Sequence, residues 1–128
     1  SQDIGGCLLF NASKSAFNPG PKFGPYAVAK SGLVALMKQY AIDLATFGIR
    51  ANAVNADRVR TGLFSESLIQ ERAQARGVTP EQYFRANLLD RETRAEDVAQ
   101  AFAYLAQAEA TTGAVVPVDG GNPAAFPR

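Results

Sequence analysis

Short apolar runs alternate along the chain with longer stretches whose hydrophobic positions recur at helical spacing. Cys7-Leu8-Leu9-Phe10 follows Gly5-Gly6 and precedes the polar Asn11-Ala12-Ser13, a length that suits a buried strand of a parallel sheet. Residues 14–25 are rich in Gly, Pro, Asn and Lys and read as a loop. Pro25 then stands where proline favours the first turn of a helix. Over residues 26–46 the apolar positions Val28, Leu33, Leu36, Met37, Tyr40, Ala41 and Leu44 keep helical spacing. Ala27, Ala29, Ser31, Gly32 and Ala35 make one flank of that helix thin, and Gly48 is its stop signal. Residues 49–54 read as a second strand, with Asn55-Ala56-Asp57-Arg58 as the turn after it.

Residues 63–92 are more polar and predict helix, punctuated by Gly77 and Pro80. Thr79-Pro80-Glu81-Gln82 has the form of an N-cap, a helix-starting proline and a first-turn acid. Residues 95–108 predict an amphipathic helix with Val98, Ala101, Phe102 and Leu105 on one stripe, ended by Thr112-Gly113. Residues 114–118 read as a third strand, closed by Asp119-Gly120-Gly121. Strand, helix, strand, helix, strand predicts an α/β fold with parallel pairing and right-handed crossovers.

Composition narrows the classes. The 128 residues are 47% hydrophobic and 20% charged, with a net charge of +1. A chain of this length can bury roughly two-thirds of its unfolded surface, so size does not forbid folding alone. Near-neutral charge with scattered Lys and Arg argues against nucleic acid as a partner. No apolar run approaches the ~20 residues of a membrane span, so no membrane partner is expected. Ser1-Gln2-Asp3-Ile4-Gly5-Gly6 has neither the basic start nor the apolar block of a signal peptide. It also lacks an initiating Met, which fits a fragment or a processed chain. A lone Cys7 excludes an internal disulfide, and the absence of His weakens any metal or Ser-His-Asp reading. The cytoplasm is the expected compartment.

Candidate chemistry concentrates at one place. Tyr26 and Lys30 stand four apart at the start of a helix and so share a face. A phenol titrates near ~10 and is a poor acid or base at neutral pH, but a nearby ammonium stabilises its ionised form. Ser13, thirteen residues before Tyr26, ends the first strand. Its hydroxyl should emerge at the carboxyl edge of the sheet, where open α/β folds hold their ligands. Taken singly, a Tyr-x-x-x-Lys spacing is an ordinary helical surface pair and a strand-end serine an ordinary turn residue. Together with the order of elements they form a specific pattern.

That pattern resembles the short-chain dehydrogenase/reductase family over nearly the whole chain. Asn11-Ala12-Ser13 is similar to the strand end with the catalytic serine, and Tyr26-Ala27-Val28-Ala29-Lys30 to the active-site motif. Ile49-Arg50-Ala51-Asn52-Ala53-Val54 resembles the next strand, and Val118-Asp119-Gly120-Gly121 the closing one. Val59-Arg60-Thr61 resembles the segment that touches the nicotinamide carboxamide, which implies Val59 and Thr61 as cofactor contacts. The resemblance implies the C-terminal half of a Rossmann-like doubly wound parallel sheet, about three strands with flanking helices. Residues 1–128 would then be the catalytic part of one such domain, with the Gly-rich cofactor-binding half absent. The implied activity is hydride transfer between NAD or NADP and a small hydroxy or carbonyl substrate. Tyr26 would transfer the proton, Lys30 would hold the nicotinamide ribose and lower the phenol's proton affinity, and Ser13 would bond the substrate oxygen.

Family members usually carry Pro-Gly where this chain has Ala56-Asp57. The added charges of Asp57-Arg58 either face substrate, together with Lys14, or form a salt-bridged surface turn. Residues 10–21, 52–58 and 87–89 are similar to the dehydrogenase part of bacterial aldolase/dehydrogenase fusions of rhamnose-type sugar breakdown, where an Ala-Asp turn is expected. That branch implies a small sugar-derived substrate such as lactaldehyde. A homo-oligomer through helix 26–46 is the implied assembly. The competing reading is a non-catalytic oligomerisation piece with a relict Tyr–Lys pair; a hydrolase built on Ser13 is weak without a histidine base.

Overall fold

The computed structural model describes residues 5–62 and 64–127. Ser1–Ile4 of the N-terminal stretch, and Leu63 at the head of the polar helical stretch, lie outside the described residues. Three parallel strands, β1 (Gly6–Ser13), β2 (Ile49–Ala56) and β3 (Val115–Val118), form one sheet in the order β1-β2-β3. Ser13 pairs with Ala56, and Ala56 with Val118. The three strands therefore end level, and the segments leaving them emerge along one carboxyl edge.

α1 (Gly24–Asp43) starts with Pro25 in its first turn and packs Ala27, Val34, Met37 and Ala41 inward. They meet Ala12, Ala51 and Ala53 of the sheet, with Phe10 and Val115 alongside. Alanines on the strands let the helix sit close. The expected stripe is only partly the buried one: Val28 (73% exposed) and Leu36 face outward, as does Ile42, while Tyr40 is partly exposed and stacks on Phe10 of β1. Both faces of α1 carry apolar residues, but of the small-residue flank only Ala27 is buried; Ala29, Ser31, Gly32 and Ala35 are exposed, and Val34, Met37 and Ala41 meet the sheet. A single tight turn, Ala45–Phe47, and a left-handed Gly48 (φ 70°) then reverse the chain into β2.

Alternate residues of β2 serve opposite faces. Ala51 and Ala53 meet α1, so Arg50, Asn52 and Val54 face the other side, where α4 (Ala95–Gln107) lies with Leu105 fully buried. Arg50 donates to the carbonyls of Leu105 (2.8 Å) and Ala106 (3.0 Å), satisfying groups that a helix C-terminus leaves open. The stripe of Val98, Ala101, Phe102 and Leu105 is not exposed at any position. Both crossovers step the same way along the sheet yet pass on opposite faces, so they are of opposite hand. One of them departs from the right-handed rule expected of both.

Between β2 and α4 lie α2 (Glu66–Ala75) and α3 (Pro80–Phe84), which build a small core of Ile69, Ala73, Tyr83 and Phe84. Ser65 caps α2, and Thr79 with Gln82 forms the capping box of α3. Helix was expected as far as residue 92 but stops at Phe84. Beyond it the backbone of Leu88 and Leu89 donates instead to Gly121 and Gly120, each at 3.0 Å. Gly120 has φ +67°, and a Cβ there would collide with Asn87. Gly120→Ala should cost about 2–4 kcal/mol, combining left-handed strain with overpacking. Denaturant titration of the complete protein checks this; an unmoved midpoint would show that the turn tolerates a side chain. Among the described residues no helix is long and apolar enough to cross a membrane.

Candidate active site

β1 runs extended through Ser13 (φ −150°, ψ 153°), whose hydroxyl caps the tight turn Lys14–Ala16 by accepting from the Ser15 amide at 3.3 Å. That bond uses a lone pair and leaves the serine proton without an acceptor among the described residues. Tyr26 stands in the first turn of α1, 45% exposed, with Phe23 edge-on to it at 6.1 Å between ring centroids. Lys30, one turn on, places Nζ 5.7 Å from the Tyr26 ring centroid and 3.0 Å from the Asn11 carbonyl oxygen, to which it donates. Ser31 adds a second tie, donating to the Ala16 carbonyl at 3.2 Å. The first two turns of α1 are thus pinned to the end of β1. Lys30 reaches the end of β1 two residues before Ser13, with Tyr26 one turn before Lys30 on α1.

The other expected site residues separate into two groups. Val59 (half-buried) and Thr61 (exposed) lie on the irregular segment leaving β2 at the same edge, and Lys14 follows Ser13 directly, half-buried. Asp57 and Arg58 turn inward instead. Arg58 donates to the Tyr83 carbonyl at 3.0 Å and lies 4.6 Å over the Tyr83 ring, while Asp57 accepts from Asn122 at 3.3 Å. Their own charges are 3.9 Å apart. Together the two side chains clamp α3 and the C-terminal segment. The left-handed residue of the turn is Arg58 (φ 51°), a conformation that glycine would take without strain.

An ammonium has three donors, and Lys30 uses one of them on Asn11. Two remain beside an exposed phenol one turn away, a donor set that fits the paired hydroxyls of a ribose. Gly120-Gly121 is no phosphate cradle, because Asn87 and Leu88 fill the space over it. Among the described residues no group of three or more His, Cys, Asp or Glu could hold a metal. Sequence reasoning missed Phe23 and Arg72, whose guanidinium lies over the Phe23 ring at 5.4 Å. No local signal marks a contact between such distant segments.

A parallel α/β sheet carrying a Tyr–Lys pair and a serine at its carboxyl edge defines the class of protein. The family model described as enoyl-(acyl carrier protein) reductase matches residues 2–122, and the chain belongs to the short-chain dehydrogenase/reductase family. It is 37% identical to an uncharacterized oxidoreductase, YuxG, of Bacillus subtilis over 135 residues, covering 99% of this chain and 20% of that relative. A short-chain type dehydrogenase/reductase from Mycobacterium ulcerans superposes with a TM-score of 0.78 at 33% identity, over 91% of this chain and 41% of that one. A 4-hydroxyisoleucine dehydrogenase complexed with NADH gives 0.72 at 27% identity, over 93% and 47%. The chain spans less than half the length of each of these relatives.

Proposed function

We propose that the complete protein carrying this chain is an NAD(P)-dependent oxidoreductase acting on a small hydroxy or carbonyl compound. The observation that supports this most is the Lys30 tether: an ammonium held at the strand end that carries Ser13, with an exposed Tyr26 beside it. The nicotinamide supplies or takes the hydride when bound. Tyr26 passes the proton to or from the substrate oxygen, Ser13 donates a hydrogen bond to that oxygen, and Lys30 holds the ribose hydroxyls. Val59 and Thr61 border the carboxamide.

The substrate in this reading is a small sugar-derived hydroxyaldehyde, with lactaldehyde the simplest. Residues 10–21, 52–58 and 87–89 support it by their likeness to aldolase/dehydrogenase fusions. A homo-oligomer through α1 belongs to the same reading, since Val28, Leu36 and Ile42 lie on its outward face. NAD(P)H absorbance with the complete protein tests the activity. Small hydroxyaldehydes should be turned over with one nucleotide, and no turnover of any small alcohol or aldehyde with either would refute it.

The 128 residues expressed alone should behave differently. Dinucleotide pyrophosphate sits on a Gly-rich turn at a helix N-terminus, and none is offered among the described residues. There β1 also pairs only with β2, and a bare strand edge invites another chain. The isolated chain should show no micromolar affinity for NAD by calorimetry and should scatter light as a dimer or larger. A clean monomer binding NAD at micromolar concentration would overturn this.

A further inference from the structure

Arg72 lies on α2, half-buried, with its guanidinium carbon 5.4 Å from the Phe23 ring centroid and 5.2 Å from that of Phe64. Phe23 is the residue whose ring meets Tyr26. The cation is therefore held between two rings, one of them in contact with the proposed reacting phenol. Among the half-buried arginines its donors set it apart, since Arg50 and Arg58 donate to carbonyls. Of the exposed ones, Arg76 donates to a carbonyl, Arg60 to a carboxylate, Arg85 to both, and Arg91 pairs with Asp97, while the Arg94 side chain has no such partner among the described residues. Among the described residues the Arg72 guanidinium makes no hydrogen bond and no ion pair. Five N–H donors in a planar fork suit a carboxylate or a phosphate held in two-point contact. The flanking rings fix the fork in place and keep water from part of it, which strengthens its pull on an anion.

We infer that Arg72 reads an oxyanion on the substrate, so that the hydroxy or carbonyl compound reacting at Tyr26 carries a carboxylate or phosphate at its far end. This rests on the proposed dehydrogenase reading and narrows it: within sugar-derived hydroxyaldehydes, the charged members are preferred over lactaldehyde. The contrary view is that Arg72 is a packing latch, joining α2 to the loop before α1.

Two measurements on the complete protein decide between them. The first compares kcat/KM for glyceraldehyde 3-phosphate against glyceraldehyde, and for succinic semialdehyde against butyraldehyde. The charged partner of at least one pair should be favoured, and whichever pair shows it identifies the oxyanion. Arg72→Met should lower that charged-to-neutral ratio about 10- to 100-fold, mostly through KM, and Arg72→Lys should recover part of it. A ratio near one in the wild type, or one unchanged in Arg72→Met, overturns the inference. The second measurement needs no turnover: melting temperature against inorganic phosphate and against succinate. One of the two should stabilise the wild type saturably and Arg72→Met much less. Equal shifts in both proteins, or none in either, would leave Arg72 as a latch. Should no substrate be turned over at all, the dehydrogenase reading fails while this second arm still judges the anion site.

Discussion

Tyr26→Phe in the complete protein should lower kcat by about 10²–10⁴-fold, the range that positioned acid–base help provides. The substitution keeps the ring and its edge contact with Phe23 while removing the one group that can carry a proton. The Tyr26 hydroxyl has no hydrogen-bond partner among the described residues, and the side chain is 45% exposed. Its loss therefore breaks no packing or bonding in the fold, and a fall in rate would report on chemistry alone. Lys30→Ala should cost a comparable factor, since it removes the tether to Asn11 together with the ribose donors. Ser13→Ala should be milder, because it deletes one hydrogen bond to the substrate oxygen and the cap of a short surface turn. Steady-state rates at saturating nucleotide, with melting curves beside them, measure all three. A Tyr26→Phe enzyme with most of its activity would sink the proposed mechanism.

The features legible in the sequence were those written locally. Short apolar runs bounded by glycines and polar residues mark the strands to within a few positions, because a buried parallel strand needs little else. The Thr79 N-cap and the Pro80 helix start were visible because that signal is local, while the return bond from Gln82 was not read. Tyr26 and Lys30 were legible for the same reason: one helical turn fixes their relation. The place of Ser13 at the carboxyl edge followed from where a strand ends.

What escaped depends on partners distant in sequence. Which face of α1 is buried is decided by Ala51 and Ala53, since a helix with apolar residues on both sides does not choose by itself. The early end of helix after Phe84 is imposed by Gly120 and Gly121, which take up the amides of Leu88 and Leu89. The inward turn of Asp57 and Arg58 depends on Asn122 and Tyr83. The opposite hands of the two crossovers follow from α4 packing on the face opposite α1, where Arg50 ties down its C-terminus. The site followed the same rule: its local pair was legible, and Phe23 with Arg72 was not.

Two asparagines on β2 show how identical residues three positions apart differ in what they hold. Asn52 is fully buried on the α4 side, where Nδ2 donates to the Thr111 carbonyl at 2.9 Å and Oδ1 accepts from the Ala114 amide at 3.0 Å. It fastens the corner that leads into β3, beside the Thr112 hydroxyl, which accepts from the Ala51 amide at 3.1 Å. Asn52→Ala should destabilise the complete protein by about 2–4 kcal/mol: it strands a buried amide and leaves a small cavity. Asn55 is equally buried, at 1% exposure, yet neither atom of its amide has a partner among the described residues. A polar group taken from water without compensation costs about 1–3 kcal/mol in protein mutants. Removing it offsets the cavity that Asn55→Ala creates, so that variant should stay within about 1 kcal/mol of the wild type or exceed it. Urea titrations of both variants test the contrast. If Asn55→Ala proved the more damaging, Asn55 would have to be holding something in the intact protein, and its amide would not be the stability cost that its unpaired atoms imply.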